Sequence, residues 1–215
     1  MDRRPPDQHA PKGGFLTIVV AGATLLAASP FLMDFLGKWE TSNRLILTVY
    51  ADQLAGGLPT VCKGLTRHVT DTPIIVGDRW TVEKCEEEER RAVVRVQNQL
   101  APCFKLPPNQ MVWDMSTSHA WNNGAPSTCG SLAMQSFNRG EWEAGCRRLA
   151  VSDAGRPVWS YTCKMVDGVR QCTFVQGLAN RRHDEWKYCA ESLLPCLESS
   201  TESCSPNVPD GFCPV

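Results

Sequence analysis

Two carboxylates and a hydroxyl have the types and the order that acid–base chemistry needs. Glu40 follows Trp39, Asp52 lies just before the Gly56-Gly57 turn, and Thr60 lies just beyond it. Acids are sparse in this stretch: between Asp34 and Asp71 the sequence offers only Glu40 and Asp52. A carboxylic acid held against aromatic or apolar surface keeps its proton, as a general acid for cleaving a glycosidic bond must, and a second carboxylate across a cleft can hold or activate water. Two carboxylates twelve residues apart also arise by chance. A turn-capping role for Asp52 and an ordinary strand role for Thr60 therefore stay open at this point.

Other reactive groups point elsewhere or nowhere. His68, His119 and His183 are scattered, and neither a C-x-x-C nor an H-x-x-x-H pair occurs, so no zinc site, other metal or cofactor is expected. Eleven cysteines in 215 residues are far more than a reducing compartment usually holds. Their odd number leaves at least one thiol unpaired within a monomer. A cysteine hydrolase built on Cys129 and His119 is a third-ranked alternative, because an oxidising compartment tends to consume exposed thiols. Cys62, two residues from Thr60, is where pairing would most directly touch the acid–base group. The net charge of −1, from 22 basic and 23 acidic residues, gives no field for nucleic acid.

Several elements must position these groups. Residues 81–101 read as a helix, with Thr81 as N-cap, acids crowding the positive end, and a buried stripe of Val93, Val96 and Leu100. The run Glu86 to Glu89 is expected on a solvated face. Further helices are expected at 109–121, 130–138, 141–150 and 177–190, and GKWETSNRLILTVYADQ reads as an amphipathic helix before a small sheet or hairpin. Asp167-Gly168 suits a type I′ turn. Counting outward from it pairs Cys163 with Cys172 at a non-hydrogen-bonded position, where side chains approach closely enough for a disulfide. The tail from 191 is rich in Ser, Pro and Glu and carries Cys196, Cys204 and Cys213.

The N-terminus divides in two. Residues 1–14 are polar, Pro-rich and basic, and nineteen uncharged residues run from Phe15 to Met33. That run is long enough for a transmembrane helix, and the basic flank would keep the N-terminus in the cytoplasm. Nine of the nineteen residues are Ala, Gly, Thr, Ser or Pro. A cleaved signal peptide and a permanent anchor are both conceivable, but this composition favours a signal anchor over 15–36 that inserts in the inner membrane and later leaves it. The expected organisation is a cytoplasmic tail (1–14), this anchor (15–36), a folded domain (37–190) and a Cys-rich tail (191–215).

The longer pattern is more specific. WE, VYAD and GGLPTVCKGLT, then Asn109-Gln110, Trp121-Asn122-Asn123-Gly124, Phe137-Asn138-x-Gly140 and Gly177-Leu178-x-Asn180-Arg181-Arg182-x-x-Glu185, together resemble the phage-type lysozymes of glycoside hydrolase family 24. With a weak export anchor ahead of it, the whole resembles a signal-anchor-release endolysin. The resemblance implies an α+β, mostly α, lysozyme-like fold with a small N-terminal β-sheet region and a helical C-terminal lobe, following one N-terminal transmembrane helix. It implies a monomer acting on peptidoglycan glycan strands, at the host inner membrane and then in the periplasm. It assigns Glu40 as general acid, Asp52 as the carboxylate that stabilises the transition state or orients water, Thr60 as the hydroxyl that positions that water, and Arg181 or Arg182 as the partner of Glu40. The chain departs from the family in carrying three more residues between Glu40 and Asp52 and two more between Asp52 and Thr60. Either the helix-to-sheet corner holds insertions or one role has moved. A non-catalytic glycan-binding module with the same groove is the runner-up.

Overall fold

A computed structural model describes residues 16–41, 45–53 and 56–194. The segment expected to cross a membrane does something else in it. Strands β1 (Thr17–Val20) and β2 (Ala23–Leu26) form an antiparallel hairpin around Ala21 and Gly22, both at positive φ. Helix α1 (Pro30–Thr41) then starts at the proline. No helix among the described residues is long and apolar enough to span a bilayer. The correction has a local cause: a two-residue turn with glycine suits a hairpin between β-branched residues, and proline belongs in a first helical turn. Val20, Leu25, Leu32, Phe35 and Leu36 are buried, so the core extends across the boundary expected at residue 37.

Strands β3 (Ile46–Asp52), β4 (Leu58–Cys62) and β5 (Leu65–Thr66) form an antiparallel sheet in that order. The expected helical continuation thus ends at Thr41. ILTVYAD is rich in β-branched and aromatic residues, and it follows strand propensity. Val49 and Val61 face a small core with Trp80 and Leu65.

The helical lobe holds α2 (Val82–Leu100), α3 (Gln110–Asn123), α4 (Ala125–Cys129), α5 (Leu132–Phe137), α6 (Trp142–Arg148) and α7 (Gln176–Glu191). Thr81 caps α2 through its side chain, and Asn109 and Ser131 do the same for α3 and α5. The helix expected at 130–138 is preceded by a separate short helix, because Pro126 opens α4 and Gly130 with Ser131 ends it. Helix α3 is the central element: Val112 through Ala120 are all buried. Strands β6 (Tyr161–Val166) and β7 (Val169–Phe174) form a hairpin with the register counted from Asp167-Gly168, pairing Cys163 with Cys172.

Among the described residues, four disulfides join Cys62 to Cys85, Cys103 to Cys129, Cys146 to Cys189, and Cys163 to Cys172. Cys62 and Cys129 are therefore not thiols. Cys196, Cys204 and Cys213 lie outside the described residues, as do residues 1–14 and most of the expected tail.

Candidate active site

Glu40 sits on the last turn of α1, with its side chain one-third exposed. Two groups fix its carboxylate. Arg181 Nη1, from α7, donates to Oε1 at 2.8 Å, and Trp121 Nε1, from the end of α3, donates to the same oxygen at 3.1 Å. The pairing of Glu40 with Arg181 joins residues far apart in sequence. Trp121 belongs to the aromatic-Asn-x-Gly run that marked the resemblance.

Behind Arg181 lies a buried polar cluster. Arg181 Nη2 donates to the Ser118 carbonyl and hydroxyl, and Arg181 Nε lies 3.4 Å from Glu185 Oε1. The same oxygen accepts from the Ser118 hydroxyl at 2.6 Å and from Arg182 Nη2 at 2.5 Å. Arg182 also donates to Asn122 Oδ1. Arg182 therefore serves Glu185 and Asn122, while Arg181 reaches Glu40. Helical spacing explains the division, since Arg181 and Arg182 stand four and three residues before Glu185 and diverge by about 100° on one helix.

Asp52 and Thr60 come from the sheet. Asp52 closes β3 opposite Leu58, and Thr60, on β4, sits opposite Tyr50 of β3 and Thr66 of β5. By register, Asp52, Tyr50, Leu58 and Thr60 share one face, opposite that of Val49 and Val61. The buried Thr60 hydroxyl donates to the Leu58 carbonyl at 3.0 Å, which leaves its oxygen able to accept. Residues 42–44, between Glu40 and Asp52, and 54–55, between Asp52 and Thr60, lie outside the described residues.

Two groups escaped the sequence reading. A small cavity beside Glu40 is lined by Trp121, Leu65, Lys63 and Glu89, among others. Glu89 accepts the Lys63 amide at 2.9 Å, and burial raises its carboxyl above the ordinary range against the opposing pull of that amide and the Lys63 charge. Glu88, 6% exposed, accepts the Thr70 hydroxyl. Half of the glutamate run is thus turned inward, because α2 packs on the sheet through Cys85 and Ala92, and Glu88 and Glu89 fall on that side. Helical periodicity from Cys85 was the available signal.

His119 is fully buried. Its Nδ1 lies 2.8 Å from the Thr128 hydroxyl, and burial, helped by Arg182 and Arg181, holds the imidazole well below its usual range. It is a neutral packing residue, and its hydrogen-bonding neighbour is Thr128 in place of a Cys129 thiol. Among the described residues no group of three or more His, Cys, Asp or Glu could hold a metal ion.

Comparison with known proteins fits this geometry. The endolysin from Escherichia coli O157:H7 phage FAHEc1 aligns with TM-score 0.62 and 22% identity over 78% of this chain and 95% of its own. The muramidase domain of SpmX from Asticaccaulis excentricus gives TM-score 0.57 and 19% identity, covering 75% of this chain and 95% of that one. A P22 lysozyme variant gives 0.54 and 20%, covering 74% and 95%. At such identities these structures establish the lysozyme-like α+β fold. No curated protein matches the chain. The family model described as phage lysozyme matches residues 40–185, from Glu40 itself to the buried Glu185. The chain belongs to the phage lysozyme family.

Proposed function

We propose that the protein is an endolysin: a muramidase that hydrolyses the β-1,4 bond between N-acetylmuramic acid and N-acetylglucosamine in host peptidoglycan, causing lysis and virus release. The observation that carries this reading is the Glu40 carboxyl, held by Arg181 and Trp121 at the start of the family-matched region. In this reading Glu40 protonates the glycosidic oxygen as the bond breaks. Asp52 stabilises the positive charge developing on the sugar or orients water, and the Thr60 hydroxyl positions that water. The protein acts as a monomer on glycan strands.

Glu40→Gln keeps the shape of the side chain and removes the transferable proton. Purified wild-type protein is expected to clear outer-membrane-permeabilised cells and release new reducing ends, and Glu40→Gln is expected to abolish both. Full activity of Glu40→Gln would overturn the assignment. Tight glycan binding by wild-type protein with no new reducing ends would establish the binding-module reading instead.

We also propose that residues 15–36 first serve as an inner-membrane signal anchor, with the N-terminus in the host cytoplasm, and that the protein becomes periplasmic on release. The support is the uncharged run from Phe15 to Met33. Because α1 carries both part of that run and Glu40, insertion would hold the acid out of its site. Fractionation of producing cells should find the chain first with membranes and later in the periplasm; an exclusively cytoplasmic chain would refute this.

A further inference from the structure

The mechanism leaves one buried ionic group without a task. Glu185 is fully buried on α7, one turn beyond Arg181, and its Oε1 lies within 3.4 Å of both guanidinium groups. Arginine stays charged in proteins, so Arg181 and Arg182 place two positive charges at the floor of the site. Arg181 touches Glu40 directly, and Glu40 and Arg182 also attract each other across the cluster. A general acid must carry a proton, and a neighbouring cation opposes that. Two uncompensated arginines would hold Glu40 in the ionised form, unable to donate.

We propose that Glu185 is a positioning residue for Glu40: it orients Arg181 through its direct approach to Nε and the shared Ser118 hydroxyl, and cancels enough of the arginine charge for Glu40 to hold its proton. Burial raises the Glu185 carboxyl, while Arg182, Arg181 and the Ser118 hydroxyl favour its ionised form; with Glu185 ionised, the cluster carries zero net charge when Glu40 is ionised and +1 when it is protonated. Without Glu185 these become +1 and +2. Among the described residues, other charged or titratable groups include Lys63 and Glu89 in the cavity beside Glu40, the Lys38–Asp184 pair on the exposed side of α1 and α7, the neutral His119 on α3 and, across the cleft in the proposed reaction, Asp52. Of these, Glu89, Asp184 and His119 do not touch either arginine as Glu185 does. The inference rests on Glu40 being the proton donor of the proposed reaction.

The test substitutes neutral isosteres and reads charge separately from structure. In Glu185→Gln the alkaline limb of the kcat/KM profile on permeabilised cells is expected to move to lower pH by about one unit. In Arg182→Gln it should move the opposite way. The double variant Arg182→Gln/Glu185→Gln, which removes one charge of each sign, should return it close to the wild-type position. A purely structural role would lower activity at every pH and leave the limb in place, and that result in either folded single variant overturns the proposal. If Glu185→Gln does not fold, Arg182→Gln against the double variant makes the same comparison. The Glu40 carboxyl carbon, identified by its loss in Glu40→Gln, can also be titrated by 13C NMR in each variant without substrate. Its midpoint is expected to shift in the same directions, and an unchanged midpoint again overturns the proposal. An inactive wild-type protein with these midpoint shifts intact would refute the muramidase reading while leaving the charge coupling established.

Discussion

Single residues in this chain are set by the company that burial imposes on them, and Asp114 is the sharpest case after Glu185. It is 1% exposed on α3, accepting the Ser29 hydroxyl at 2.6 Å and the Gln110 amide at 2.9 Å. Burial pushes its carboxyl up to about 7, with Ser29 and Gln110 pulling downward. The folded chain therefore binds this proton more tightly than the unfolded chain, where an aspartate titrates near ~3.9. Its stabilising share is fully present below about pH 4 and is lost as pH rises through about 7. The melting temperature of the wild-type chain should accordingly drop between pH 5 and pH 8, and Asp114→Asn should make that drop smaller. An equal drop in both would show that Asp114 does not titrate as its surroundings require. Nothing in the sequence singled out Asp114, because it looks like any polar residue in a helix until Ser29, eighty-five positions away, is brought against it. Glu40, Arg181 and Arg182 were legible through a family pattern, and the aromatic-Asn-x-Gly run held Trp121 and Asn122 without revealing that they meet Glu40 and Arg182.

At the scale of elements, local rules succeeded where the turn chemistry was explicit and failed where apolar runs were ambiguous. Asp167-Gly168 led directly to the β6–β7 register and the Cys163–Cys172 pair. The stretch 15–33 was ambiguous, since an uncharged run suits a membrane helix as well as a hairpin followed by a core helix, and only packing against α2 and α3 separates the two. The β6–β7 hairpin itself is exposed along nearly its whole length on both faces, with Tyr161 and Phe174 stacked edge-to-face near its base. A two-stranded ribbon without a core is marginal in water, so its order should depend on the cross-link. Replacing Cys163 and Cys172 together by serine is expected to leave the global melting temperature nearly unchanged while residues 161–174 lose hydrogen-exchange protection and become the first site of proteolysis. A large global loss of stability would mean that the hairpin is coupled to the core more tightly than its exposure indicates.

At the scale of the whole molecule, the N-terminal hairpin and α1 are inserted into the body by a socket that reads main chain. Gln110 both donates to and accepts from the backbone of Leu26, Gln97 accepts the Ala28 amide, Arg90 donates to the Ala28 carbonyl, and Ser29 caps α1 while donating to Asp114. These bonds fix the start of the helix that carries Glu40 at its other end, so the hairpin sets the placement of the acid without touching it. Val20 and Leu25 add apolar burial of about 1.5–3 kcal/mol each. A chain beginning at Pro30 keeps α1 and every residue of the candidate site but loses the hairpin, its two core side chains and all of these socket bonds. It should melt several degrees lower than a chain beginning at Leu16, and its lytic activity should fall at temperatures where both remain folded, because the start of α1 is then anchored by side-chain packing alone, with its polar contacts to Arg181, Trp121 and Asp184 confined to the far end. Equal melting temperatures and equal activities for the two chains would show that the socket neither stabilises the fold nor sets the position of Glu40.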